Sequence, residues 1–435
     1  MSAVELQVRA FRTLDELHDL RSVWEDLVSA YPLSTTFSTF EWLSSWWRNF
    51  SCDQDLLVLA FFEKDALVAL APLSVKRERI AGGLTLKLLR LMGDGSKDSD
   101  NLDFPVRPGY EQGFVGALLT YLDQNKALWD YCELNTLPPS SSSLAGLREA
   151  LEQRGWPLYS SQRIASAIPL PDTWEAYLQL LSSEDQKNLA RYSRRLEKRY
   201  QTRIYRCTQA EELPRALEAL FRLHQARWQA EGETGSFASP ERRAFYYDLS
   251  RSLLSRGWLE LWVLEANGEI ASVQYAFRFR DAVYQLQEGN DPEKSSDRVG
   301  FILRGEVLKQ LIAEGVRLYD FLGGEPGYKA RWGAKLGYYV DLDFAARFSL
   351  GAAYLRTRHK AMHTKEWLRR SLPKSAWDVL HRANQRVRPG KVPAVNGSLL
   401  PISDPNTEAS MQTHMRKAQD NQPVLATQSK LDRKS

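Results

Sequence analysis

The chain has 435 residues, 43% of them hydrophobic and 11% aromatic, which is enough apolar side chain for about two to three packed domains. Its 3 cysteines are scattered, so neither a disulfide framework nor a cysteine-ligated metal site is expected. The first residues include an acidic side chain, and no stretch approaches the roughly 20 apolar residues that cross a bilayer. We therefore expect a cytoplasmic globular protein without a metal ion.

The net charge of +4 is unevenly distributed along the chain. Residues 351–395 contain 11 Lys or Arg and 2 acidic residues, in a pattern that predicts basic amphipathic helices. We expect their apolar face to pack on the protein body, with contact to an anionic membrane or an anionic polysaccharide as alternatives. Residues 1–350 are slightly acidic, which argues against DNA binding. Residues 396–435 lack aromatic side chains and are predicted to be a disordered tail.

Two stretches about 200 positions apart repeat one order of predicted elements, namely a hairpin, a strand, a polar loop, a helix and a strand. These elements begin at Leu56, Leu86, Gly93, Gln112 and Trp129, and again at Leu259, Ala282, Gly289, Gly300 and Arg317. The repetition predicts two related α/β halves, which we place at residues 1–165 and 166–350. The alternative is that two unrelated α/β domains share this order by chance.

Four blocks of the second half carry a family resemblance. They are FRLHQARWQAEG at 221–232, LWVLEANGEIASVQYAF at 261–277, EGNDP at 288–292 and YDFLGGEPGYKARWGAK at 319–335. They resemble the CelD/BcsL acyltransferases of the GNAT superfamily, a group named from cellulose and exopolysaccharide biosynthesis clusters. The tandem organisation is similar to that of the Fem-type aminoacyl transferases. The resemblance implies an α/β fold of two tandem GNAT-like halves, with mixed sheets flanked by helices.

The resemblance also implies an acyl-CoA donor, acetyl-CoA or another, whose pyrophosphate binds where a helix follows the fourth strand of the half. Here that place consists of Arg298, Val299, Gly300 and Phe301. A glycine permits close backbone approach, and the first turn of a helix offers free N–H groups to anions. An acidic residue at 297, where a basic residue or Gln is usual, departs from the family pattern. The alternative is an ordinary helix start.

Four residues are predicted to be catalytic: Glu288, Asp320, Tyr328 and Lys329. Glu288 ends the fourth strand and is the candidate general base. Asp320 lies in an apolar strand, where a carboxyl group needs partners. Tyr328 and Lys329 follow a Gly-rich bend and match the YK and FK motifs of these families, which implies a cation near the reacting carbonyl. For each residue a purely structural role is the alternative.

The acceptor is expected to be a carbohydrate or a sugar-linked molecule. His224 and Trp228 share one face of a helix, with Arg227 beside them, and the family pattern makes this helix a wall of the acceptor cleft. Trp332 is a candidate for stacking on a sugar ring. For His224 and Trp332, packing in the core is the alternative. Two other functions remain open, namely aminoacyl transfer from charged tRNA and a non-catalytic role in polysaccharide assembly.

Overall fold

The computed structural model describes residues 5–371 except 81, 97, 231, 233, 325 and 326, together with residues 400 and 401. Its strands are β1 Gln7–Phe11, β2 Gln54–Glu63, β3 Ala66–Arg79, β4 Thr85–Leu91, β5 Tyr131–Leu137, β6 Leu158–Pro169, β7 Thr202–Arg206, β8 Leu259–Ala266, β9 Glu269–Phe279, β10 Ala282–Asn290, β11 Leu318–Gly323, β12 Lys335–Phe344 and β13 Leu400–Pro401. Its helices are α1 Leu14–Asp19, α2 Arg21–Ala30, α3 Phe40–Phe50, α4 Glu111–Gln124, α5 Leu144–Gln153, α6 Trp174–Leu178, α7 Ser183–Arg199, α8 Leu213–Ala230, α9 Pro240–Ser255, α10 Val299–Ala313 and α11 Leu350–Ser371.

One mixed sheet runs through both halves of the molecule. Its strand order is β1-β2-β3-β4-β5-β12-β6-β11-β10-β9-β8-β7, with β13 paired to β6 off this path. Each strand from β1 to β6 has its counterpart six strands later, at the mirrored place in the sheet. The pairs β4–β5 and β10–β11 are parallel, and the other pairs are antiparallel. This internal symmetry confirms the predicted pair of related α/β halves.

The two halves exchange their last strands, which the sequence did not predict. β6 pairs with β11 of the second half, and β12 pairs with β5 of the first half. β6 and β12 also pair with each other over ten residue pairs, from Lys335↔Ala167 to Phe344↔Leu158. The division proposed at residues 165 and 166 falls inside β6. Because main-chain hydrogen bonds join the halves at this point, we expect them to unfold together.

Each half carries the same backbone irregularity near the end of its fifth strand. Thr136 has φ 58° in β5, and Leu322 has φ 61° in β11. The strand register shifts at both places, between Asp320 and Gly323 in β11 and between Val340 and Leu342 opposite β5. Non-glycine residues seldom adopt this left-handed conformation, and such strain concentrates at functional sites. The shared irregularity supports duplication and directs attention to the end of β11.

The halves also meet through helices and a continuous apolar core. In α3, the Trp42 ring lies 5.6 Å from Phe245 of α9 and 5.0 Å from Phe277 of β9. The guanidinium of Arg280, from the turn after β9, donates hydrogen bonds to main-chain carbonyls at the end of α2, including that of Tyr31 at 3.1 Å. Carbonyls at a helix C-terminus lack helical partners and favour a cation. Arg280 therefore links the two halves by hydrogen bonds.

The helix α11 begins the basic segment and packs only in part. Leu355 is fully buried, Arg358 pairs with Glu133 and Asp343, and His359 stacks on Tyr159 at 3.9 Å. Further along α11, Met362 is 42% and Trp367 63% exposed. The expected packing on the body therefore holds for the start of α11, while residues 372–395 and most of the predicted disordered tail lie outside the described residues. Within the described part of the chain, no helix has the length and apolar character to span a membrane.

Candidate functional site

The site lies where two parallel strands of the second half stop pairing. β10 and β11 pair only from Ala282↔Leu318 to Tyr284↔Asp320. Beyond that point β10 continues through a bulge between Gln285 and Gln287, while β11, which pairs with β6 along its other edge from Leu318 onward, shifts its register between Asp320 and Gly323. A bulge bends a strand and re-aims its side chains. The result is a gap between the two strands, with the helix α10 starting just beyond the end of β10.

The first turn of α10 contains the predicted phosphate-binding residues. Its N-cap is Arg298, which is exposed, has φ 60° and makes no side-chain capping hydrogen bond. Val299 is 1% exposed and belongs to the core. A Cβ on Gly300 would lie 2.6 Å from Cγ of Asn290, so only glycine allows this approach of helix and strand. Phe301 lies 4.6 Å from the ring of Trp332. Residues 298–301 thus form the start of α10 beside the end of β10, and their predicted role in binding pyrophosphate stays a prediction.

The acidic residue at 297, which departs from the family pattern, is neutralised by the neighbouring helix. Asp297 is 2% exposed and accepts a hydrogen bond from the Tyr200 hydroxyl at 3.1 Å. It forms an ion pair with Arg199, and Arg195 Nη2 lies 3.8 Å from its Oδ1. A paired carboxylate presents little net negative charge to a ligand. Asp297 therefore adds little electrostatic repulsion to a phosphate at the start of α10.

Glu288 is paired with a residue that the sequence analysis missed. The guanidinium of Arg304, on α10, contacts the carboxylate of Glu288 and is only 4% exposed. Its Cζ lies 5.1 Å from the Tyr328 ring and 5.5 Å from the Trp332 ring. Burial alone would lower the pKa of Arg304, but the charge of Glu288 and the neighbouring Tyr328 and Tyr319 together raise it. A cation one turn after Gly300, among the apolar residues of the first turns of the helix, was the available signal.

Lys329 and Asp320 lie at the strained end of β11. The Lys329 ammonium is 5% exposed and donates to the carbonyls of Phe321 at 3.3 Å, Leu322 at 3.3 Å and Gly323 at 3.0 Å. Asp320 accepts from the Leu322 N–H at 2.7 Å. Burial, with the nearby charge of an acidic residue of the first half, raises the pKa of Asp320 to about 7. Both side chains therefore stabilise the bend, and their predicted catalytic roles stay predictions.

The first half contributes a polar loop to this site, between β4 and α4. Asp100 accepts a hydrogen bond from the Gly323 N–H at 2.9 Å, directly at the end of β11. Asp98 is 1% exposed, accepts from the Tyr246 hydroxyl at 3.1 Å and lies 3.2 Å from Arg242 of α9. The sequence predicts a polar loop here but gives no reason to place it beside the other half. Only the tertiary structure brings these carboxyl groups to the gap.

The predicted acceptor wall is the face of α8 that meets β10. His224 is 6% exposed, and its Nε2 accepts from Trp228 Nε1 at 3.1 Å. Burial and the neighbouring Arg227 and Arg242 lower the pKa of His224 to about 4, so its ring is neutral at pH 7. The Arg227 guanidinium lies 5.5 Å from the Trp228 ring. The three residues form one cluster, whereas Trp332, 3% exposed, lies in the core below the gap.

A GNAT acetyltransferase family model matches residues 183–330, which contain α7, the gap and the start of α10. Residues 183–330 are therefore similar to a GNAT acetyltransferase domain. FemX, whose crystal structure is known, has the same overall fold at 12% identity and a TM-score of 0.56, over 80% of this chain and 99% of FemX. This similarity extends the GNAT-like architecture beyond the matched residues to both halves.

Two further solved structures are similar at lower TM-scores. A conserved protein of unknown function from Bacteroides thetaiotaomicron VPI-5482 is 14% identical with a TM-score of 0.47, over 74% of this chain and 97% of that one. A tandem GNAT protein from the clavulanic acid biosynthesis pathway is 14% identical with a TM-score of 0.44, over 79% of this chain and 100% of that one. No curated protein sequence matches the chain.

The corresponding helix of the first half carries an acidic side chain at its start. Its helix α4, the counterpart of α10, has Glu111 at its first position and Tyr110 as N-cap. The Glu111 carboxylate already accepts the Gly109 N–H at 2.9 Å. A negative side chain at a helix start repels an anionic ligand. Across the described residues, moreover, no group of three or more His, Cys, Asp or Glu is arranged to hold a metal ion.

Proposed function

We propose that the protein is an acyl-CoA-dependent acyltransferase that moves an acetyl or other acyl group to an amine or hydroxyl of a sugar or sugar-linked acceptor. The observation that carries the proposal is the start of α10, which lies without a side-chain cap at the gap between β10 and β11 of the GNAT domain. We further propose a cytoplasmic role in exopolysaccharide or cellulose-type biosynthesis, which the motif resemblance supports.

The donor would bind with its pyrophosphate at the first turn of α10. Arg298 would contribute a charge-assisted contact, while Val299 and Gly300 would present backbone N–H groups. The Phe301 N–H donates to the Arg298 carbonyl at 3.0 Å. Asn290 packs against Gly300 and accepts the Ser272 hydroxyl at 2.7 Å, which fixes the end of β10 beside that turn. The pantetheine arm would then follow β10 into the gap.

The chemistry needs positioning, a base and stabilisation of negative charge. The acceptor amine or hydroxyl would attack the acyl carbonyl, Glu288 would take the proton directly or through water, and the thiolate would leave. Lys329 and Tyr328 follow the end of β11, where the reacting carbonyl would lie. Because Lys329 donates to three carbonyls, its contribution would be the field of a fixed cation.

The acceptor would enter from the side of α8 and the first-half loop. His224, Arg227 and Trp228 lie on α8, and Asp98 and Asp100 come from the loop. Neutral His224 would act as a hydrogen-bonding group, because its lowered pKa makes it a weak base. Carboxyl groups and rings of this kind suit a polar acceptor such as a sugar.

Isothermal titration calorimetry with acetyl-CoA tests the donor. We expect saturable binding that is lost in Gly300→Glu, since the added side chain brings bulk and negative charge to the first turn of α10. Circular dichroism of the variant checks that the fold survives. Failure of well-folded wild-type protein to bind at millimolar acetyl-CoA would remove the acyl-CoA proposal.

Aminoacyl transfer from charged tRNA is the second candidate, favoured by the cations of α7 and by the fold shared with FemX. The exposed cations of α7 are Lys187, Arg191, Arg194, Arg195, Lys198 and Arg199. Phosphate contacts of this number would give tRNA binding a steep dependence on salt. Tight, salt-sensitive tRNA binding without binding of acetyl-CoA would select this function.

A non-catalytic role in polysaccharide assembly is the third candidate. Its support is the pair of charged side chains, Glu288 and Arg304, at the gap. Absence of binding to both donors would select it. Peripheral contact with an anionic membrane remains a separate proposal, supported by exposed Met362 and Trp367 beside the cations of α11. Co-sedimentation with anionic vesicles, comparing the full chain with Trp367→Gln, tests that contact.

A further inference from the structure

A cluster of arginines and aromatic rings on α7 faces the first turn of α10. The guanidinium Cζ atoms of Arg191 and Arg195 lie 4.9 and 5.5 Å from the ring centroid of Tyr192. The Tyr192 ring lies 5.8 Å from that of Phe301, in the first turn of α10. Two cations therefore flank an aromatic ring immediately beside the place proposed for the pyrophosphate.

The two arginines retain positive charge for a ligand. Arg191 donates to Asn188 Oδ1 at 2.6 Å and to the Tyr192 hydroxyl at 3.1 Å, and both of these partners are neutral. Arg195 donates to the main-chain carbonyl of Ser296, and its nearest carboxylate oxygen, on Asp297, is 3.8 Å away. Asp297 is itself paired with Arg199. The α7 flank of the helix start is consequently cationic.

The segment that leads from Asp291 to Asp297 adds no net positive charge of its own. The short helix Pro292–Asp297 begins there, with Asp291 as its N-cap and the exposed Glu293 in its first turn. The Asp291 carboxylate is paired with Lys294 at 2.6 Å, so the charge of the one lysine of this segment is neutralised. An anionic group extending from the start of α10 is therefore attracted by Arg191 and Arg195 of α7.

We propose that Arg191, Tyr192 and Arg195 bind the 3′-phosphorylated adenosine end of the donor, so that the protein distinguishes CoA from 3′-dephospho-CoA. The guanidinium groups would contact the 3′-phosphate, and the edge of the Tyr192–Phe301 ring pair would meet the adenine. This inference rests on the proposed acyl-CoA function and adds the residues that recognise the nucleotide end.

Calorimetry with CoA and with 3′-dephospho-CoA tests the inference. In wild-type protein at low salt we expect CoA to bind about tenfold more tightly, because one extra phosphate meets two cations. The ratio should shrink in 0.5 M NaCl, since exposed charges are screened over a few ångströms at that ionic strength. Equal affinities at low salt would overturn the inference and leave the acyl-CoA proposal intact, whereas failure of both ligands to bind would overturn the proposal itself.

Variants locate the effect on α7. Arg191→Ala and Arg195→Ala should each weaken CoA binding and leave 3′-dephospho-CoA binding unchanged, which brings the ratio of affinities towards one. Arg194→Ala is the matched control, because within the described residues the Arg194 side chain donates a hydrogen bond only to the Ala190 carbonyl of its own helix. Among the described residues, the Arg191 side chain donates hydrogen bonds only to Asn188 and Tyr192 of α7, so its variant should fold even if Arg195→Ala disturbs the loop before α10. An unchanged ratio in folded Arg191→Ala would contradict the assignment.

Discussion

The guanidinium of Arg304 contacts the carboxylate of Glu288 at the point where β10 and β11 part. Arg304 is 4% exposed, and its ion pair lies against the rings of Tyr328 and Trp332. An ion pair removed from water is costly unless both partners are present, so each side chain depends on the other. The pair fixes Glu288 at the mouth of the gap, where an acceptor and a donor would meet.

Glu288→Gln is expected to lower turnover by about 10²–10⁴-fold, the usual contribution of a general base. Donor affinity should change little, because the substitution is isosteric and removes only the charge. Steady-state kinetics with acetyl-CoA and the acceptor, once identified, measure both quantities. Glu293→Gln, an exposed residue of the following loop, is the control and should behave as wild type. Full activity of Glu288→Gln would assign this carboxylate to the support of Arg304 alone.

Two helix glycines at corresponding helices of the two halves should respond oppositely to alanine. In α10, a Cβ on Gly300 would lie 2.6 Å from Cγ of Asn290, so Gly300→Ala should destabilise the protein by about 1–3 kcal/mol through overpacking. In α4, a Cβ on Gly116 would meet nothing within 4 Å, so Gly116→Ala should stabilise by about 0.5–1 kcal/mol. Urea unfolding of the two variants measures the difference, and an equal response would show that Asn290 moves aside freely.

Asp320→Asn should change how stability depends on pH. Burial above all raises the pKa of Asp320 from 3.8 to about 7, so in this range the folded protein holds a proton that the unfolded chain has released. The contribution of Asp320 to the free energy of unfolding therefore falls as the pH rises from about 4 to 7. Because Asn does not ionise, the free energy of unfolding of the variant lacks this decrease. Relative to wild type, it should therefore rise by at most about 4 kcal/mol between pH 4 and 8. Urea unfolding across this pH range measures the difference, with the exposed Asp65→Asn as control. Parallel plots of unfolding free energy against pH for wild type and Asp320→Asn would refute the expectation.

Arg280→Ala should weaken the contact between the halves. The Arg280 side chain donates to the carbonyls of Val28 at 3.0 Å, Ser29 at 2.9 Å, Tyr31 at 3.1 Å and Pro32 at 2.9 Å. We expect a loss of about 2 kcal/mol in the free energy of unfolding, since bonds from a charged group contribute more than neutral ones. Arg280→Lys keeps the charge and the left-handed backbone position, and it should lose less. Identical denaturation midpoints for wild type, Arg280→Ala and Arg280→Lys would show that these hydrogen bonds do not stabilise the protein.

Local elements followed from the residues themselves. Alternating apolar runs around Asn267 and Gly268 predicted the hairpin of β8 and β9, and both residues have positive φ as a tight turn requires. The repeated order of elements predicted two halves, and the motif at 319–335 pointed to the GNAT domain. These signals are short-range, because turn chemistry, apolar period and motif spacing act within one element or between adjacent ones.

What the sequence determined by itself was therefore the repeated run of elements and the position of the helix start that follows β10. Only the tertiary structure decided that β6 and β12 change places, that Arg304 holds Glu288, and that Asp98 and Asp100 of the first half reach the gap of the second. Each of these contacts joins residues that are distant in the chain or lie on different elements. The packing of the whole sheet decides which partner a strand edge or a buried charge meets.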